Sequence, residues 1–241
     1  MQKRLDVYLS ENNTVKSRSL AASLIKQGSV EVNGRICTKA SFAVDENDNI
    51  RIIGEMPKYV GRGGLKLEKA LFHYRLHLDG SVCIDIGAST GGFTDCMLQN
   101  GAVKVYSVDV GTDQLDEKLR NDPRVVSMEK TDIRNCVGSL PAVDFIGIDV
   151  SFISLKLVLP SAYALLKDGG ECVALIKPQF EAGKSHLSKH GIVRDSKVHK
   201  KVCDDISEFA STLGFERGEV ISSPITGGDG NTEYLIYLRR L

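Results

Sequence analysis

Val82-Cys83-Ile84-Asp85-Ile86-Gly87-Ala88-Ser89-Thr90-Gly91-Gly92-Phe93-Thr94-Asp95 is the stretch whose reading decides the fold. An apolar, β-branched run closes on an acid, a loop of small residues follows, and an amphipathic segment begins. The pattern predicts a buried parallel strand, a tight turn and the first turn of a helix. Gly87, Gly91 and Gly92 let backbone approach a ligand, since no Cβ stands in the way. In doubly wound sheets, ligands bind in the crevice beyond the carboxyl ends of such strands.

The loop itself narrows the ligand. A dinucleotide fingerprint places its second glycine two residues after the first, so that a pyrophosphate can come close. Ser89 stands there, which disfavours a dehydrogenase, and Asp85 would repel phosphates but attract an ammonium group, directly or through water. A cationic nucleoside with an amino-acid tail suits this loop, which points to S-adenosylmethionine as cofactor. Ala88 and Phe93 complete the expected cradle. The next strand, Lys104 to Val108, ends in Asp109, placed to accept from a ribose diol. Val125 to Met128 forms a third strand, and Asp132 beyond it is placed to read an adenine. The plainer alternative is that Asp109 and Asp132 cap helices.

Downstream the α/β rhythm continues. Asp144 to Phe152 reads as a central strand carrying Asp149, and Leu155 to Leu166 as a helix interrupted by Pro160. Glu171 to Phe180 reads as a buried strand whose end carries Lys177, with Pro178 stopping the ladder. Gly183 to Arg194 is a basic loop, Ser196 to Leu213 a long helix, and Thr232 to Leu238 a final strand after Gly227-Gly228-Asp229-Gly230.

Upstream, Gly61-Arg62-Gly63-Gly64 leads into a helix whose apolar positions are 65, 67, 70, 71 and 74. Lys66 lies off that stripe near the helix start, where the dipole opposes a cation, so something else must account for it. Pro57 marks a linker over residues 55–60.

The first 39 residues hold seven bases against three acids, although the whole chain is neutral. This asymmetry suggests a nucleic-acid contact at the N-terminal end. Arg4 to Leu9 opens a helix, Ser17 to Ile25 reads as a second with Ser17 as N-cap, and Gly28 to Arg35 runs a strand into an Asn33-Gly34 hairpin turn. Ile50 to Ile53 returns as another strand. Two short helices followed by a small sheet, carried by "SRSLAASLIKQGSVEVNGR", resemble the S-four-type RNA-binding domain. The resemblance implies shape-based RNA recognition, with Arg4, Arg18, Lys26 and Arg35 on phosphates and Arg62 joining them from the second domain.

No run of about 18 apolar residues exists, and Met1 to Asp6 lacks the apolar region of a secretory signal. The six cysteines form no C-x-x-C pair and have no histidine at metal spacing, so neither a disulfide framework nor a metal is expected. These features point to a cytoplasmic chain without a membrane partner.

Asp149, Lys177 and Glu233 all fall on one sheet edge if the last strand runs antiparallel. Each has a plain structural explanation: a capped turn, a paired lysine, a strand-edge charge. Two lysines and two carboxylates around a methyl donor point instead to general-base activation of a hydroxyl. The set Lys66, Asp149, Lys177 and Glu233 resembles the K-D-K-E tetrad of the FtsJ-like ribose 2′-O-methyltransferases. With "GRGGLKLEKAL", "DIGASTGGFTD", "DVSFISL", "LIKPQFE" and "GIVRD", the chain is similar to the TlyA family along essentially its whole length. That family is known both as haemolysins and as rRNA (cytidine-2′-O)-methyltransferases, and its linker usually has tryptophan where Tyr59 stands. The resemblance implies a Rossmann-like class I α/β methyltransferase, with a mostly parallel seven-stranded sheet whose last strand is antiparallel. It implies an RNA-binding domain over 1–54, a linker over 55–60 and a transferase domain over 61–241. The expected substrate is ribosomal RNA or a ribosomal subunit, with large-subunit RNA favoured by the short chain form, and the expected state is a monomer. Two alternatives stand beside it: a non-catalytic RNA-binding assembly factor, and a haemolysin needing a membrane-inserting segment.

Overall fold

A seven-stranded sheet carries the larger part of the chain in the computed structural model. The structure describes every residue except Met1, Asn13, Lys16, Ser17, Gln27, Glu55, Met56, Gly228 and Asp229. The expected N-cap at Ser17 therefore lies outside the described residues. Two compact units divide the chain, residues 1–57 and 58–241.

In the first unit, β1 (Lys3–Arg4), α1 (Leu5–Glu11), α2 (Arg18–Lys26), β2 (Val30–Val32), β3 (Arg35–Ile36), β4 (Ala43–Val44) and β5 (Ile50–Ile52) follow in order. A three-stranded sheet runs β3-β2-β5, and β1 pairs with β4. Leu5, Leu9, Ala21, Leu24, Ile25, Val30 and Val44 form its core. Asn33 and Gly34 both take positive φ (51° and 78°), as the expected two-residue hairpin turn requires. The Asn33 side chain also accepts from Asn49 N at 2.8 Å and donates to Asp48 at 2.6 Å.

The second unit opens with α3 (Gly63–Tyr74). It continues through β6 (Val82–Ile86), α4 (Gly92–Gln99), β7 (Lys104–Val108), α5 (Glu117–Arg120), β8 (Val125–Met128) and β9 (Val143–Ile148). Then come α6 (Leu155–Leu165), β10 (Leu166–Ile176), α7 (Pro178–Glu181), α8 (Ser196–Thr212), β11 (Phe215–Ser222) and β12 (Tyr234–Arg240). Strand order is β11-β12-β10-β9-β6-β7-β8, parallel throughout except that β12 runs antiparallel to both its neighbours. Alternation along the strands splits the core into two layers. Cys83, Val105, Phe145 and Val173 face α3 and α4, while Ile84, Ile146, Cys172 and Ala174 face α6 and α8.

Residues 58–60, read from the sequence as the end of a linker, pack into this second unit. Tyr59 is buried, Val60 N donates to Asp95 Oδ2 at 2.9 Å, and Gln99 donates to the Lys58 carbonyl at 3.0 Å. The strands β11 and the β1/β4 pair were not expected. The last strand begins at Tyr234 rather than Thr232, and it pairs Tyr234 with Ile176, which sets Glu233 level with Lys177.

Candidate active site

The carboxyl ends of β6, β9 and β10 share one edge, and the antiparallel β12 begins there. The loop after β6 must turn away sharply because the chain after β9 runs against it. Gly87 takes φ +85°, and a Cβ on it would stand 2.6 Å from the Asp149 carbonyl oxygen, so only glycine fits. The GRGG segment, whose last two residues open α3, lies against the same loop: a Cβ on Gly92 would meet Gly64 N at 2.8 Å. This contact brings the start of α3, with Lys66, over the strand ends.

Four charged side chains converge in that corner. Lys66 Nζ lies 2.7 Å from Glu233 Oε2 and 3.4 Å from Asp149 Oδ2. Lys177 Nζ lies 2.6 Å from Asp149 Oδ1 and donates to Ser151 Oγ at 2.9 Å. Lys66, Lys177 and Glu233 are buried, at 8%, 7% and 3% exposure. Stripping one ion of water costs several kcal/mol, and here two cations and two anions alternate, so each charge is opposed by a neighbour. This pairing accounts for a lysine on the first turn of α3, against the helix dipole. The shortest contacts are not the best aligned: among the described residues, Asp149 Oδ1 and Glu233 Oε2 have no hydrogen bond of proper angle. They act as counter-charges, while Asp149 Oδ2 and Ser151 Oγ receive the aligned N–H bonds.

A cavity of about 340 Å³ opens on this corner, walled by Arg62, Lys66, Ala88, Phe93, Asp149, Lys177 and Glu233. A second, of about 370 Å³, lies against the ends of β6, β7 and β9 and is walled by Asp109, Thr131, Asp132, Ile133 and Val158. Gly87, Ser89, Asp149, Ser151 and Phe152 border both, so the two form one crevice. Asp109 accepts from Ser89 N and Gly111 N, each at 2.7 Å, and thereby holds the loop after β6. Asp132 caps the short turn Ile133–Asn135 and is gripped by the Arg134 guanidinium, which holds its carboxyl below the usual range. The capping alternative thus describes part of what Asp132 does, although it also borders the crevice.

Asp85 and Gly91 do not line it. Gly91 is the N-cap of α4. Asp85 is fully buried, and its Oδ2 accepts from Thr94 N and Thr94 Oγ1 at 2.8 and 2.7 Å. Its Oδ1 has no partner among the described residues, and burial pushes its carboxyl up to about 7.

A model of the FtsJ-like methyltransferase family matches residues 59–240. The chain belongs to that family. An S4 domain model matches residues 3–50. Hemolysin A of Brachyspira hyodysenteriae is 42% identical over 97% of this chain and 98% of its own length. The 16S/23S rRNA (cytidine-2′-O)-methyltransferase TlyA of Mycobacterium tuberculosis is 37% identical over 98% of this chain and 89% of its own. A solved structure from Streptococcus thermophilus superimposes with a TM-score of 0.79 at 45% identity, covering 99% of this chain and 88% of that one.

In the FtsJ-like domain, sequence reasoning missed the residues between the strand-end acid and α6. Phe152 takes φ +64°, is 90% exposed at the crevice mouth, and its ring lies 5.0 Å from that of Phe180. A large aromatic held open to solvent in a sparsely populated backbone conformation marks a functional surface more than a folding one. In the S4 domain, Lys26 and Arg35 are exposed. Arg4 and Arg18 instead converge on buried Asp6, at 2.9 and 3.0 Å, with about half of each side chain still in solvent.

Proposed function

We propose that the chain transfers a methyl group from S-adenosylmethionine to the 2′-hydroxyl of a cytidine in ribosomal RNA, with large-subunit RNA as substrate. The observation that carries this reading is the closed Lys66–Glu233 and Lys66–Asp149–Lys177 contact set opening onto a two-lobed crevice. The family match and the relative named as an rRNA (cytidine-2′-O)-methyltransferase support it.

The residues present fit the cofactor. Asp85 Oδ1 is a buried carboxylate oxygen without a partner among the described residues, beside a loop that only glycine can turn, as an ammonium or its bridging water would require. Gly87, Ala88, Ser89, Gly92 and Phe93 would hold the amino-acid end, with Asp85 reached from beneath the loop and Gly91 turning the chain into α4, and Asp109, Asp132 and Asp149 would hold the nucleoside. S-adenosylmethionine supplies an electrophilic methyl group when bound.

The chain must then supply a base, because a ribose hydroxyl is too weak an acid to ionise at neutral pH. Lys177 Nζ takes the hydroxyl proton. Asp149 holds Lys177 and Lys66 on its two oxygens, and Glu233 balances Lys66, so the corner carries one net negative charge while Lys177 is neutral and becomes neutral once Lys177 has taken the proton. Phe152 and Phe180 offer ring faces on which an unstacked base can lie, as single-stranded RNA recognition demands. The N-terminal unit, with Arg4, Arg18, Lys26 and Arg35 on phosphates, holds the RNA, and Arg62 meets it at the crevice. The chain works as a cytoplasmic monomer.

Lys177→Arg and Lys177→Ala test the reading together. Both are expected to bind cofactor and RNA but transfer no methyl, since guanidinium does not give up its proton in this range. The parent's single-turnover rate is expected to climb with pH, because only the neutral amine accepts a proton. An active Lys177→Arg protein would remove Lys177 as the base.

A further inference from the structure

Ser151 is exposed, borders both lobes of the crevice, and accepts the aligned hydrogen bond of the Lys177 amine at 2.9 Å. The shorter approach of Lys177 to Asp149 Oδ1, 2.6 Å, lacks hydrogen-bond alignment. Asp149 therefore provides charge to Lys177 without fixing the direction of its N–H bonds.

We infer that Ser151 is a positioning residue for methyl transfer, whose Oγ sets the rotation of the Lys177 amine so that its lone pair faces the acceptor hydroxyl. The inference rests on Lys177 being the base. The three substituent positions of an sp³ amine are staggered about the Cε–Nζ bond, so holding one N–H on Ser151 fixes the other two. In the neutral amine one of those two is the lone pair. The chemistry of the partner matters as well. A hydroxyl accepts an N–H bond without adding charge, whereas a second carboxylate there would favour the charged amine and oppose its work as a base. Lys177 otherwise faces Asp149 from the end of β9, and through it Lys66 on α3 and Glu233 before β12. Arg62 stands in the same wall, and the Phe180 ring lies 5.9 Å from Nζ. Ser151 is thus the neutral acceptor in a setting of charges.

The test uses the full chain, saturating S-adenosylmethionine and ribosomal subunits, with single-turnover methyl transfer followed across pH. Ser151→Ala is expected to lower the rate on the order of tenfold, with cofactor affinity and KM for RNA held within about twofold. Its rise with pH is expected to begin at lower pH than in the parent, because an acceptor that favours the charged amine is gone. Ser151→Thr, which keeps the hydroxyl, is expected to restore rate and profile. A Ser151→Ala protein with the parent's rate and pH profile would overturn the inference, as would a Ser151→Thr protein as slow as Ser151→Ala. Lys177→Arg in the same assay separates the two levels. If it is inactive while Ser151→Ala matches the parent, only the role of Ser151 falls; if it is active, the base itself is misassigned.

Discussion

Asp85 sits at the point where folding and binding make opposite demands. Desolvation pushes its carboxyl up to about 7, while the Thr94 hydroxyl and N–H bonds pull down. A raised carboxyl holds its proton in the folded state. Its contribution to stability is present below the ordinary carboxylate range and is lost as pH rises through about 7. A bound ammonium reverses the preference, because the ionised form then gains a partner. Cofactor affinity measured by calorimetry is therefore expected to strengthen as pH rises through about 7, with proton release on binding. Asp85→Asn is expected to weaken binding by about 1.5–3 kcal/mol, flatten that pH dependence, and melt no lower than the parent at mildly alkaline pH without cofactor. Unchanged affinity would place the ammonium elsewhere. Asp85 was legible as a strand-end acid, but its depth beneath the loop was not, because sequence does not say whether a carboxylate faces the crevice or the sheet. Phe152 was illegible for a related reason: an aromatic after a strand reads as core until its exposure is seen.

At the level of elements, residues whose period matched their partner layer were readable, and those stabilised by distant pairing were not. β6, β9 and the Cys172–Ile176 half of β10 are buried on both faces and announce themselves as apolar runs. β11 alternates weakly, with exposed Glu216, Arg217 and Glu219, and is a strand because β12 pairs with it. The pair β1/β4 is two residues long on each side, below any periodic signal. The start of α1 shows the same dependence on tertiary contact. Asp6 is buried there, and the guanidinium groups of Arg4 and Arg18 hold its carboxyl down at about 2. Its stabilising contribution is present above the ordinary carboxylate range and is lost as pH falls through about 2. Asp6→Ala is expected to destabilise the N-terminal unit by about 1.5–3 kcal/mol, measured by denaturant unfolding at neutral pH, and to free Arg4 and Arg18 from α1. An unchanged midpoint would mean that Asp6 does not organise the two arginines.

In the whole molecule, bases cluster in the first 39 residues, seven against three acids, while the second unit carries the charged corner and the crevice. The neutral total hides this cluster, which the acids at 45–55 offset within the same unit. A relative bears the name Hemolysin A, yet among the described residues no helix is long and apolar enough to cross a membrane. The features that stand out chemically are instead two buried lysines, their two carboxylates and an open aromatic beside a glycine-turned loop. The measurement that tests this account most directly is the identity of the methylated nucleoside. Ribosomal subunits lacking the modification would be incubated with the full chain and labelled S-adenosylmethionine, and their RNA digested and resolved by mass. The account predicts label in 2′-O-methylcytidine from large-subunit RNA, and none with Lys177→Arg. Label on a base rather than a ribose, or no transfer to RNA at all, would contradict it.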